Sequence, residues 1–170
     1  MAFIIYGAIL LLTLILQTTL FPAFPFLGVY PDLIVVIVII FAIFNGPVFG
    51  AKFGLLAGLL LDILTGQLIG LGALTKMTAG IASGFVGQRF FKENYLIAFS
   101  SVLVMSFADQ LLYLIGMFIF GLSVSWTVAF TKIVVPVSIY NAIIGIIIYR
   151  RLYYFNLKIQ YWDELAKRTG

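Results

Sequence analysis

The 170-residue chain contains neither cysteine nor histidine. Their absence excludes disulfides, thiol nucleophiles, imidazole bases and the commonest zinc sites. Charge is scarce as well, at 9% of residues, and the acids Asp32, Asp62, Glu93, Asp109, Asp163 and Glu164 are too scattered for a metal cluster. No metal or other cofactor is expected. The run from Ala2 to Phe21 carries no charge at all. It has neither the basic start nor the small-residue cleavage site of a secretory signal, so it is expected to be a retained span. Outside the apolar segments the longest stretch is the tail from about Arg151, which leaves no room for a soluble catalytic domain. No reaction is assigned, and nucleic acid is not expected as a partner.

What is present is apolar surface. Hydrophobic residues make up 64% of the chain, and the mean hydropathy of +1.20 places it in the bilayer class. Crossing the hydrocarbon takes roughly 20 apolar residues. Segments at about 3–21, 31–45, 47–66, 71–90, 95–120 and 126–150 qualify as spans. The expected fold is an all-α integral membrane protein, with a six-helix transmembrane domain over 1–150 and a cytoplasmic basic and aromatic tail over 151–170. Pro22 and Pro25 close the first span. Pro31 suits a first helical turn, with Asp32 complementing its dipole, and Asn45-Gly46-Pro47 makes a tight turn into the third span. The second span, about 15 residues or roughly 22 Å, is short enough to need tilting into a thinned region or a partly re-entrant path.

Orientation follows from the basic residues. A cytoplasmic N-terminus puts Arg89, Lys92, Arg150, Arg151, Lys158, Lys167 and Arg168 on the cytoplasmic side, whereas the connections near 22–30, 67–70 and 121–125 hold no Lys or Arg. This predicts an N-in, C-in topology. The stretch from Tyr149 to Phe155 mixes aromatics with Arg150 and Arg151, as in a stop-transfer anchor among anionic headgroups; a protein-docking surface is the alternative. Lys52, near the start of the third span, is expected to snorkel towards headgroups.

Gly46, Gly50, Gly54 and Gly58 recur at every fourth position of the third span, and Gly80, Gly84 and Gly87 repeat the device in the fourth. Bare stripes of this kind let another backbone approach closely where lipid removes the usual hydrophobic drive for helix association. A four-residue step turns a helix by about 400°, so the stripe drifts by about 40° per step. One end of it can therefore serve an internal helix and the other a separate chain. Gly50, Gly54 and Gly58, followed by Gly80 and Gly84, are the expected partner-helix packing residues.

Ionisable groups inside apolar segments need an explanation. Asp62 and Lys76 lie seven residues on either side of position 69, so an antiparallel hairpin places them at similar depth. The expectation is an Asp62 to Lys76 pair, or a network shared with Thr65, Thr75 or Thr78. Its bland role is to pin two helices; its functional alternative is proton or cation handling. Ser106, Asp109 and Tyr113 share one face of the fifth span, and Lys132 of the sixth is the candidate partner of Asp109. Pro136 removes the hydrogen bond normally accepted by the Lys132 carbonyl, which predicts a kink there.

At these residues the sequence resembles the rod shape-determining protein MreD family of bacteria. The resemblance rests on Pro31-Asp32-Leu33, then Gly54-x-x-x-Gly58-x-x-Leu61-Asp62-x-x-Thr65-Gly66-x-x-x-Gly70, followed by a small-residue helix, with Asp109 and Pro136 further on. Thr65 stands where the family often has serine, which keeps the hydroxyl. The resemblance implies a multi-pass, non-catalytic scaffold in the bacterial inner membrane, within the machinery that elongates rod-shaped cells. Its implied partners are the bitopic protein MreC, other elongation-machinery proteins that link MreB filaments with peptidoglycan synthesis, and membrane lipids; a second copy of the chain is a further candidate. MreD-like proteins are also similar in architecture to the substrate-binding components of energy-coupling-factor transporters. That supplies an alternative function, the binding of a vitamin-like molecule for uptake. Those components carry an Ala-x-x-x-Ala-like stripe in their first helix, whereas Ile4 to Leu20 offers only Gly7 and Ala8. Binding of a lipid or lipid-linked sugar, in a groove opened by the kinked sixth helix, ranks last because the polar groups are scattered.

Overall fold

The computed structural model describes residues 2–23, 25, 28–66, 68–90, 95–122 and 125–169, with all their side chains except those of residues 2, 3, 164 and 166–169. Lys92, Glu93 and the side chains of Glu164, Lys167 and Arg168 lie outside the described residues. The described residues form helices and no strand. Helix α1 (Ala2–Ile15) runs on through a π-helical turn (Leu16–Leu20) and a 3-10 turn (Phe21–Ala23). It is followed by α2 (Leu33–Asn45), α3 (Pro47–Thr65), α4 (Leu71–Arg89) and α5 (Tyr95–Ile119). Helix α6 (Trp126–Ala129), a π-helical turn (Phe130–Val134) and α7 (Val135–Thr169) succeed one another without a break.

Four of these rods are long and apolar enough to cross a membrane: Ile4–Ala23, Pro47–Thr65, Tyr95–Ile119 and Trp126–Asp163. The other two expected spans differ from them in kind. Helix α2 has 13 residues, about 20 Å of helix against the roughly 30 Å of a hydrocarbon core. Every residue from Leu33 to Phe44 is buried. A helix that is apolar on all sides can be enclosed by protein on all sides, and α1, α3, α4, α5 and α7 all pack against α2. Its length consequently has no need to match a lipid bilayer.

Both ends of α2 are tied by polar side chains. At its start Asp32 accepts from the Val35 amide at 3.1 Å, the Leu33 amide donates to Gln17 Oε1 at 2.8 Å, and the Asp32 amide donates to Asn141 Oδ1 at 2.8 Å. Gln17 also donates to the Pro31 carbonyl. Three amides at the start of the helix are thereby satisfied by side chains. At its other end Gly46 adopts φ 91°, a left-handed conformation that favours glycine, and Pro47 opens α3 at once.

Helices α3 and α4 form an antiparallel hairpin with backbones in contact. A Cβ added at Gly50 would collide with the Gly80 carbonyl; at Gly54, with the Lys76 carbonyl; at Gly58, with the Gly72 carbonyl. Gly84 sits in the same way on Pro47, and Gly87 on the Ile43 carbonyl of α2. The Gly50, Gly54 and Gly58 contacts step by four on α3 while their partners step back by four on α4, so a single register runs along the hairpin. The glycines expected to receive a partner's helix instead meet the facing backbone of this hairpin. Gly50, Gly54, Gly58, Gly80 and Gly84 are internal packing residues, because only a missing side chain permits this approach.

Helix α7 crosses the boundary expected at residues 150 and 151 without interruption. Asn156 and Ile159, beyond it, are buried. The Tyr6 hydroxyl donates to Asn156 Oδ1 at 2.7 Å, Asn45 Nδ2 donates to the same oxygen at 3.1 Å, and Gln160 donates to Asn45 Oδ1 at 3.1 Å. This part of the tail is therefore built into the helical body, joined to α1 and the end of α2. Pro136 follows the π-helical turn, where the Val135 amide reaches back to the Phe130 carbonyl. That widened turn takes up the irregularity that a proline imposes.

Candidate functional site

The buried ionisable groups converge at Lys76, in the second turn of α4. Its ammonium lies 2.9 Å from Asp32 Oδ2 and 3.6 Å from Asp109 Oδ2. Lys76 is 4% exposed and Asp109 1% exposed, while the Asp32 side chain keeps 15%, so the cluster is largely removed from solvent. Asp32 arrives from the start of α2 and divides its oxygens between the Val35 amide and Lys76. Asp109 arrives from α5. Its Oδ1 is buried and has no hydrogen-bond partner among the described residues, and the neighbouring Thr75 hydroxyl donates to the Gly72 carbonyl at 3.2 Å.

Asp62 is not the ion-pair partner of Lys76. The glycine contacts put Lys76 beside Gly54, two helical turns before Asp62 in α3. Asp62 lies instead at the N-terminus of α4, where its Oδ2 accepts from the Gly70 amide at 2.9 Å and the Ala73 amide at 3.2 Å. It caps a helix whose own cap position, Gly70, has no side chain to offer. A Cβ at Gly72 would strike Asp62 Oδ1, so any larger residue there would displace the capping carboxylate. Removal of such a cap in Asp62→Ala is expected to cost about 1–2 kcal/mol, whereas Asp62→Asn, which keeps an acceptor, should cost less. Chemical-denaturant unfolding of the purified protein checks this. Equal losses in the two variants would show that the charge, and not the acceptor, is what matters.

Lys132 is exposed, in the π-helical turn, and Asp109 draws its positive partner from α4 instead. The Ser106 face of α5 does meet the last helix, but through a neutral contact: Asn141 Nδ2 donates to Ser106 Oγ at 2.6 Å, with both groups buried. Gln17 and Asn141 are thus part of the polar interior although nothing singled them out in the sequence. Neutral amides inside apolar segments were the available signal.

A cavity of about 600 Å³ adjoins the cluster, and Asp32, Asp62, Lys76 and Asp109 all contribute to its lining. Among the described residues there is no group of three or more His, Cys, Asp or Glu side chains that could hold a metal ion.

The profile of one protein family, the rod shape-determining protein MreD, matches residues 1–159. The chain belongs to the MreD family. With membership comes a role in determining rod shape, and MreD proteins are membrane proteins, in accord with the four rods able to cross a bilayer. No curated protein and no solved structure matches the chain. The uptake alternative accordingly gains no support. In this MreD family member the segments that carried the resemblance now have places: Asp32 and Asp109 are in the charge cluster, and Gly54, Gly58 and Asp62 are in the hairpin that presents Lys76 to them.

Proposed function

We propose that the chain is a non-catalytic scaffold of the rod-elongation machinery in the bacterial inner membrane, multi-pass with both termini cytoplasmic, binding an MreC-like bitopic protein through transmembrane helices. Such binding would support cell shape and peptidoglycan synthesis. The observation that carries this reading is the MreD match over residues 1–159. The structure favours a rigid body: α3 and α4 are joined backbone to backbone, and α2 is enclosed. What a body of this kind offers a partner is the outer face of its rods. Leu12 on α1, Leu56 on α3, Ile115 on α5 and Ile147 on α7 are exposed apolar residues on four such faces.

A photocrosslinking residue placed singly at Leu12, Leu56, Ile115 and Ile147 tests the proposal in cells expressing an MreC-like partner. Crosslinks to that partner from one or two neighbouring faces, with the others silent, are expected. Silence at all four positions, in variants that insert and fold, would remove the transmembrane docking mode.

A further inference from the structure

We propose that the cavity beside Asp109 binds an amphiphile bearing a single primary ammonium group. Three carboxylates and one lysine line this cavity, and their surroundings compensate them unequally. Asp62 is met by two amides at the start of α4. Asp32 is met by the Val35 amide and by Lys76 at 2.9 Å. Asp109 has the longer 3.6 Å approach of Lys76 to one oxygen with the Thr75 hydroxyl nearby, and its buried Oδ1 has no hydrogen-bond donor among the described residues. A carboxylate oxygen removed from water without a donor is costly. A cationic donor is the chemistry that offsets this cost best, because the formal charge of the four groups is already negative.

That donor is better supplied on an organic molecule than as a bare metal ion. No cage of metal-ligating side chains is formed among the described residues, and Lys76 stands between Asp32 and Asp109 where a metal would need both. The volume of about 600 Å³ lies in the range of small-molecule sites, which combine apolar walls with a few convergent polar groups. Leu114, Val134 and Val137 supply apolar wall, and Tyr113 supplies an aromatic ring, a partner suited to an ammonium group. A phosphate or carboxylate beside Asp109 would add repulsion. The ammonium can come from a soluble amine or from an ethanolamine lipid headgroup.

The test uses the full-length purified protein, with n-hexylammonium, n-hexanol and hexanoate as matched probes in thermal unfolding and titration calorimetry. A saturable rise in melting temperature with hexylammonium alone is expected, lost in Asp109→Asn. No rise, an equal rise with hexanol, or an undiminished rise in Asp109→Asn would each overturn the proposal. Should Asp109→Asn fail to fold, Val137→Phe replaces it by filling the apolar wall: loss of hexylammonium binding supports the site, and full retention refutes it. Native mass spectrometry from nanodiscs of mixed phosphatidylethanolamine and phosphatidylglycerol separates the sources. Selective retention of phosphatidylethanolamine by the wild type identifies the headgroup. No retained lipid, with hexylammonium still bound, identifies a soluble amine.

Discussion

Lys76→Met is expected to cost about 3–5 kcal/mol, the scale for removing one partner from a buried ion pair, which is enough to deplete the folded protein. Methionine keeps the length and apolar stem of lysine but leaves a buried Asp109 and a largely covered Asp32 facing one another's charge. The loss arises from the carboxylates that remain and not from the absent ammonium. A triple variant, Asp32→Asn, Lys76→Met and Asp109→Asn, should therefore recover much of the stability, since Asn at position 32 can still accept from the Val35 amide. Unfolding in graded denaturant compares the two, and cell shape in a strain depending on the variant reports function separately. A triple variant as unstable as Lys76→Met would show that the cluster is more than an electrostatic balance. A stable triple variant that leaves cells round would assign the charges a functional duty.

Gly54→Leu is the second large effect. The side chain has nowhere to go: even a single Cβ at this position meets the carbonyl of Lys76 on the facing helix. Because the obstacle is backbone and not the end of a flexible side chain, relief requires α3 and α4 to separate along their common seam. Overpacking a core costs about 1–3 kcal/mol where side chains can shift, and occasionally more; this position belongs at or beyond the upper end. Loss of a co-purified partner in Gly54→Leu is thus expected to accompany loss of the folded hairpin, read as faster proteolysis and a lowered melting temperature. Leu56→Ala, on the exposed face of the same helix, serves as the control and should be near neutral. A Gly54→Leu protein that keeps its melting temperature and loses only its partner would return this glycine to an intermolecular surface.

Much of this architecture is legible in the residues. Local chemistry marks several helix ends, with Pro47 opening α3 and Gly66 closing it in a left-handed conformation. The glycine ladder correctly announces close backbone approach, and the acids within apolar segments correctly announce a polar interior. What residue spacing cannot supply is the register between helices. Centring the hairpin on position 69 pairs Asp62 with Lys76, but the glycine contacts centre it four residues earlier, near Thr65, so α3 overshoots the start of α4 and Asp62 becomes a cap. The same limitation misassigns Lys132. Asp109 and Lys132 belong to successive long rods, yet the rotation of α7 against α5 gives the contact to Asn141 and leaves Lys132 outside. Asp32 is visible as a helix-start residue, but its second role depends on the start of α2 lying beside the second turn of α4, which no local pattern encodes. The boundary at 150 and 151 is marked by composition alone, and the hydrogen bonds of Asn156 cross it.

The enclosure of α2 also sets a timetable for biogenesis. The Asp32 amide at the mouth of this helix is met by Asn141, which lies 109 residues further along the chain. At synthesis speeds of about 5–20 residues per second, that partner emerges roughly 5–20 s after the amide itself. During this interval a 13-residue apolar segment, too short to cross a bilayer by itself, has to be sheltered by the α3–α4 hairpin and by whatever insertion machinery holds the nascent chain. The rod that carries Asn141 then acts as a latch: its arrival completes the polar cap at the start of α2 and covers a further side of that helix.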